Sequence, residues 1–245
     1  MAVQNLDMRF GGLEALRDIN LSLAPGERRA IIGPNGAGKT TLFNVISGAL
    51  RPSRGRIYFS GVDVTRLAPD RRARLGLSRT FQMTNLFRTL SVRENVFLAL
   101  AALTPRKFSM LRPLSSHGDI ARAAEALLSD WGMLGLADRP VKSLSYGDQR
   151  QVELILALAG RPKLLLMDEP TAGLSPAETR RVVDTLHGLD KSITVLLIEH
   201  DLEVAFAIAE RVTVLHLGSV VIEGTPAEIR RDSRVQEIYL GGPEA

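Results

Sequence analysis

The most specific chemistry in the sequence lies in eight residues, Gly33-Pro-Asn-Gly-Ala-Gly-Lys-Thr40. They fit G-x-x-x-x-G-K-[ST], four fixed residues at fixed spacing that build a cradle for a polyphosphate. Glycine at 33, 36 and 38 permits turns that a Cβ would obstruct. The loop from Gly33 through Pro34, Asn35, Gly36, Ala37 and Gly38 to Thr41 can therefore aim backbone N–H groups inward at an anion. Lys39 adds a positive charge for the β and γ phosphates, and Thr40 a hydroxyl for Mg²⁺. The helix that starts here turns its positive dipole end to the same anion.

Two further stretches carry chemistry. Leu164-Leu-Leu-Met-Asp168-Glu169 is an apolar strand ending in two carboxylates. Parallel strands present ligand sites at their C-terminal ends, so Asp168 can lie beside the phosphate loop and hold Mg²⁺, directly or through water. Adjacent side chains diverge, which leaves Glu169 as general base for the water that attacks the γ-phosphate. In Leu144-Ser-Tyr-Gly-Asp-Gln149, Ser145 stands three residues before Asp148 and resembles a capping box opening a helix. A capped helix start is also an anion site, and local physics does not choose between the two.

These residues need a scaffold, and the patterning supplies one. Val3 to Leu23 alternates as two antiparallel strands around a turn at Phe10-Gly-Gly12. Arg29-Ala-Ile-Ile is a short apolar strand before the loop, Thr41 to Leu50 a helix after it, Arg51 to Gly55 a turn, and Arg56 to Ser60 a strand. From about Thr84 the texture becomes helical, over Asn95–Leu103, Asp119–Met133 and Asp148–Ala159. Strand signals return at 162–168, followed by helix 176–189, strand 192–199, helix 202–210 and strands 211–217 and 220–223. Apolar strands separated by helices imply a mostly parallel sheet buried on both faces. The expectation is one nucleotide-binding core from residues 1–83 and 161–245, with a helical lobe, 84–160, inserted between.

At 245 residues the chain can bury roughly three quarters of its unfolded surface. It has no cysteine, which excludes disulfides and thiolate metal sites. Lys and Arg number 31 against 27 Asp and Glu, and the basic pairs are scattered. With eight Phe, three Tyr and one Trp to stack on bases, no nucleic-acid partner is expected. No signal peptide is expected at the N-terminus, and the longest apolar runs, such as Ile193 to Ile198, are strand-sized. A membrane role must therefore act through a partner. His117, His187 and His216 have no chemical context and are read as structural, as is Trp131 on an apolar helical face.

Taken together, the motifs resemble those of the ATP-binding-cassette ATPases over nearly the whole length. Leu144 to Gln149 resembles the family signature Leu-Ser-Gly-Gly-Gln, which contacts ATP held by the opposite subunit. Gln82 in Arg79-Thr-Phe-Gln82 matches the Q-loop, and His200 in Ile198-Glu-His-Asp201 matches the switch histidine. Phe10 resembles the aromatic that stacks on adenine. The resemblance implies a P-loop NTPase (RecA-like) α/β core with an N-terminal antiparallel β subdomain and an inserted α-helical subdomain. It implies Mg²⁺-dependent ATP hydrolysis with Lys39, Glu169 and His200 in catalysis, and Thr40, Gln82 and Asp168 at the metal. Ser145 and Gly147 would contact the nucleotide of a second cassette subunit, identical or not.

Two motifs depart from the family pattern. Tyr146 and Asp148 replace Gly and Gln, and Ser175 stands where many relatives place the D-loop Asp, which puts coupling through that carboxylate in doubt. Phe43-Asn44, Thr80 to Phe87, the tyrosine-bearing signature and Ile238-Tyr-Leu-Gly241 are similar to the ATPases of branched-chain amino-acid importers. ATPases serving urea or short-chain amides look much alike, and lipid or lipopolysaccharide exporters and soluble non-transport cassettes are the remaining alternatives. The implied partners are membrane permease subunits and a solute-binding protein outside the membrane. The implied location is the cytoplasmic face of the cell membrane.

Overall fold

The computed structural model describes residues 1–80, 86–102 and 118–240. The chain divides into two compact units, Met1–Arg79 with Lys163–Ala245, and Thr80–Pro162.

The first unit opens with β1 (Ala2–Phe10) and β2 (Leu13–Ser22), antiparallel around the Gly11-Gly12 turn. Next come β3 (Arg28–Ile32), α1 (Lys39–Ser47), β4 (Arg54–Phe59), β5 (Val62–Asp63), α2 (Pro69–Arg74) and β6 (Leu77–Arg79). In the second unit lie α3 (Val92–Ala102), α4 (Gly118–Asp130) and α5 (Tyr146–Leu158). The first unit resumes with β7 (Leu164–Asp168), α6 (Pro176–Gly188), β8 (Thr194–Ile198), α7 (Leu202–Ile208), β9 (Arg211–His216), β10 (Ser219–Gly224), α8 (Pro226–Arg231) and α9 (Ser233–Leu240).

Two sheets form. One is antiparallel in the order β2-β1-β4-β5, and the other runs β10-β9-β3-β8-β7-β6. In the second sheet every pairing is parallel except β10 with β9. Every residue of β7 and β8 is buried, as both faces of a parallel sheet require. This sheet order places β7 between β6 and β8, so the ends of all three strands meet at Asp168.

The core of the first unit joins Leu6, Ile19, Leu42, Phe43, Ile46, Leu166 and Ile198, and so binds the helix after the phosphate loop to both sheets. Arg72, 1% exposed, sits within this unit. It donates to the Val45 and Ile46 carbonyls at the C-terminal end of α1, and to Leu67 and Thr65. Burial lowers its pKa to about 10. Helix α1 carries no basic residue in its own last turn, so Arg72 supplies the cation that the dipole's negative end favours.

The second unit has its own core, of Val92, Val96, Ala124, Leu128, Val152 and Ile155 from three helices. Trp131 packs against it from the turn after α4 rather than from a helical face. His187 Nε2 meets the Ala207 carbonyl at 2.7 Å, a structural contact between helices.

Candidate functional site

Strand β3 ends at Ile32 and the chain turns through Gly33 to Gly38 into α1. A Cβ on Gly33 would lie 2.0 Å from the Leu215 carbonyl oxygen, so no other residue fits there. Gly38 has φ 99°, and a Cβ on it would meet the Ala15 oxygen at 2.7 Å. Gly38 also caps α1 without a side-chain hydrogen bond, and the first turn holds no acidic residue. The opening amides of α1 are thus left to a ligand. Asn35, Gly36 and Thr40 are exposed, Pro34 and Thr41 half-buried, and Ala37 is buried with its carbonyl accepting from Gly218 at 3.1 Å.

Lys39 folds back over its own loop. Its Nζ donates to the carbonyls of Gly33 at 2.6 Å and Pro34 at 2.9 Å. Burial lowers its pKa, and the Glu169 and Asp168 carboxylates pull it back up, which brings both acids into the ammonium's electrostatic reach.

Asp168 closes β7 and is 2% exposed. Arg79, at the end of β6, donates from Nη2 to Asp168 Oδ2 at 3.3 Å, while Oδ1 is buried with no hydrogen-bond partner. Burial raises the Asp168 pKa and Arg79 opposes that rise. A buried oxygen left unpaired costs about 1–3 kcal/mol, so Oδ1 is an acceptor waiting for a cation or water.

Glu169 turns the other way. Its φ is +50°, a left-handed conformation that costs a non-glycine residue about 1–2 kcal/mol, and its N–H donates to the Ile198 carbonyl at 3.0 Å. The strained turn sends Glu169 Oε1 to within 2.6 Å of His200 Nε2, just beyond β8. Asp168 and Glu169 are therefore split between Arg79 and His200, as diverging neighbours should be. Behind them Glu199, 3% exposed, accepts from the Thr171 hydroxyl at 2.8 Å and the Thr171 N–H at 3.2 Å. Burial raises its pKa and the Thr171 bonds hold it down.

The other expected residues fall in separate places. Phe10 ends β1 opposite Leu13 and is 45% exposed, open to stacking. Gln82 lies outside the described residues. Ser145 and Gly147 belong to the second unit, where Ser145 caps α5. Its Oγ accepts from the Asp148 N–H at 3.1 Å and donates to Asp148 Oδ2 at 2.7 Å. Tyr146 is 44% exposed, and its hydroxyl accepts from Arg150 Nη2 at 2.9 Å. Ser175, in the place of the D-loop Asp, forms a full capping box with Glu178 at the start of α6, so its hydroxyl is committed to the helix.

Arg79, Thr171 and Glu199 are missing from the set read off the sequence. Arg79 and Glu199 stand inside quoted motifs, at Arg79-Thr-Phe-Gln82 and Ile198-Glu-His-Asp201. Their roles appear only when the strand order sets β6 and β8 on either side of β7.

Known proteins resemble the chain over nearly its whole length. Residues 16–172 match the family model described as "ABC transporter", and residues 221–245 that described as "Branched-chain amino acid ATP-binding cassette transporter". The chain is 38% identical over 248 residues to the high-affinity branched-chain amino acid transport ATP-binding protein LivG of Escherichia coli K12, covering 98% of this chain and 97% of that one. The ADP conformation of MJ1267, an ATP-binding cassette of an ABC transporter, superposes with a TM-score of 0.87 at 31% identity, covering 98% of each chain. A dimeric post-hydrolysis cassette, MJ0796 bound to ADP and Pi, gives 0.78 at 28% identity, covering 92% of this chain and 98% of that one.

Proposed function

Because the chain belongs to the ABC transporter family of ATP-binding subunits, we propose that it hydrolyses ATP at a dimer interface to drive import of branched-chain amino acids through a membrane permease. The observation that carries this reading is the split pair at the end of β7. Asp168 keeps Oδ1 unpaired while Glu169 is aimed at His200, and both lie within electrostatic reach of Lys39 at an uncapped helix start.

The roles follow from the chemistry of each group. Amides of the loop and the Lys39 ammonium bind the phosphates, and Phe10 stacks on the adenine. Thr40, Asp168 and Gln82 hold Mg²⁺, for which the unpaired Asp168 Oδ1 is a fitting oxygen donor; the bound ion neutralises charge on the phosphates. Glu169 accepts the proton of the attacking water as its oxygen bonds to the γ-phosphorus and the bond to ADP breaks. His200 holds the Glu169 carboxylate in place and faces the γ-phosphate.

The first unit serves as the nucleotide-binding core and the second as the inserted helical lobe. Ser145 and Gly147 close the site of a second cassette, identical or related, as the dimeric relative bound to ADP and Pi supports. No helix among the described residues is long and apolar enough to cross a membrane, so transport needs separate permease subunits on whose cytoplasmic face the cassette sits. A solute-binding protein outside the membrane would deliver the amino acid. The match at 221–245 and the LivG relative support this substrate class.

Reconstitution tests it. The chain would be purified with its permeases and binding protein into liposomes and assayed for ATP-dependent uptake of labelled leucine, isoleucine and valine. Uptake of urea or acetamide instead would overturn the substrate class, and absence of ATP hydrolysis would overturn the whole reading.

A further inference from the structure

We infer that Arg79 is a positioning residue that fixes Asp168 for its cation and ties that carboxylate to the phosphate-binding helix. The inference rests on the reading of Asp168 as the metal carboxylate. Arg79 reaches in two directions at once. Nη2 takes Asp168 Oδ2, while Nη1 donates to Asn44 Oδ1 at 2.7 Å and Ser47 Oγ at 3.0 Å on α1. Its guanidinium carbon also lies 5.9 Å from the centre of the Phe43 ring, within cation–π range. The side chains of Arg79 and Asp168 are 9% and 1% exposed, so water does not compete for these bonds.

The arrangement uses what is particular to arginine. A planar fork can bridge a carboxylate and a helix, whereas a lysine ammonium at the same place is a single point. With Oδ2 held, the carboxylate has one orientation and presents Oδ1 alone, the buried oxygen that no protein group satisfies. The helix that anchors the other arm is the one whose opening amides face the phosphates. Arg79 thus holds the metal carboxylate and the phosphate cradle in fixed relation. Carboxylates that bind metals are commonly held by such outer partners, and losing one costs about 10–100-fold in metal affinity. The opposing effect is repulsion between the guanidinium and the cation, which would make removal of Arg79 tighten metal binding.

Mn²⁺ titration followed by electron paramagnetic resonance separates these outcomes. The full chain with AMP-PNP would be compared with Arg79→Ala, Arg79→Gln, Arg79→Lys and Asp168→Asn. Affinity for a fluorescent ATP analogue without divalent ion serves as control, and thermal melting reports folding. Arg79→Ala and Arg79→Gln should raise the Mn²⁺ Kd about tenfold, with metal-free nucleotide affinity kept within about twofold and Arg79→Lys in between. Should none of these fold, Asn44→Ala removes one of the two side-chain acceptors that hold Arg79 to α1, leaves its bond to Asp168 in place, and should raise the Kd about threefold. Unchanged or tighter Mn²⁺ binding in a folded variant overturns the inference, as does a parallel loss of metal-free nucleotide binding. If Asp168→Asn loses Mn²⁺ while the Arg79 variants keep it, only the role of Arg79 fails. If Asp168→Asn also keeps it, the metal assignment fails and this inference with it.

Discussion

Two helices of this chain begin at places expected to meet phosphate, and they begin in opposite ways. Helix α1 starts at Gly38 with no side-chain cap and no acid in its first turn. Helix α5 starts at Ser145, whose hydroxyl is engaged by both the N–H and the carboxylate of Asp148. An uncapped start leaves several amides unsatisfied, a debt that only an anion or water removes. A start capped from within has already met part of that need and has placed a negative charge beside it. Under the proposed function the difference amounts to a division of labour: the first unit would hold a polyphosphate by itself, and the second would add a weaker, conditional contact. Substitutions in the first unit should therefore cost far more than those in the second.

The severest test is at Glu169. Glu169→Gln should keep ATP binding and slow single-turnover hydrolysis by about 10²–10⁴-fold, or about 3–5 kcal/mol of barrier. Near-normal single-turnover rates would remove Glu169 as the base and move the chemistry away from the end of β7. Next comes Lys39→Ala. Loss of the cation folded over the loop should weaken binding of a fluorescent ATP analogue by about 10–100-fold, the range of a charge-assisted hydrogen bond. Affinity that stayed put would mean that the bare α1 amides suffice, and would sharpen the contrast further.

These two residues were legible because their signals are local. The phosphate loop needs only spacing, and β7 announces itself as an apolar run ending in Asp168 and Glu169. The βα alternation from 162 onward was legible for the same reason, although its strands pair over fewer residues than the apolar runs extend. Short elements escaped: β6 is three residues long, and α2, α8 and α9 follow no long apolar stripe. Helix α8 did carry a readable start, Thr225-Pro-Ala-Glu228, which forms a full capping box. What no local pattern holds is the strand order. Arg79 and Glu199 acquire their partners only because β6 and β8 flank β7, a fact of tertiary pairing. Likewise the missing D-loop carboxylate at Ser175 reads as a loss in sequence and as a helix cap in space.

The second unit offers a smaller effect of opposite sign. Asp148→Asn takes a negative charge away from the α5 start while Ser145 keeps an acceptor to bond. In a Glu169→Gln background, ATP-driven dimerisation measured by analytical ultracentrifugation should tighten about two- to fivefold, the worth of one charge at a helix end. Weaker dimerisation would show that Asp148 helps the contact, and would break the contrast between the two helix starts.

The smallest effect separates the open and closed acids within the first unit. Asp168 Oδ1 is buried without a hydrogen-bond partner, whereas Glu199 is buried and bonded to Thr171. Its pKa is raised above the ordinary 4.5, chiefly by burial. Below that ordinary value the carboxyl is protonated in both folded and unfolded chains, and its ionisation affects neither. As pH climbs through the raised folded value, the unfolded chain ionises first, and the folded state loses stability relative to it. Glu199→Gln keeps an oxygen to accept from Thr171 and removes the titration. Its melting temperature should therefore exceed that of the native chain near pH 8, with the gap closing as pH falls toward 4.5. A gap that is constant with pH, or that widens in acid, would show that the Glu199 carboxylate is stabilised where it stands, and would place it with the ligand-facing groups rather than behind them.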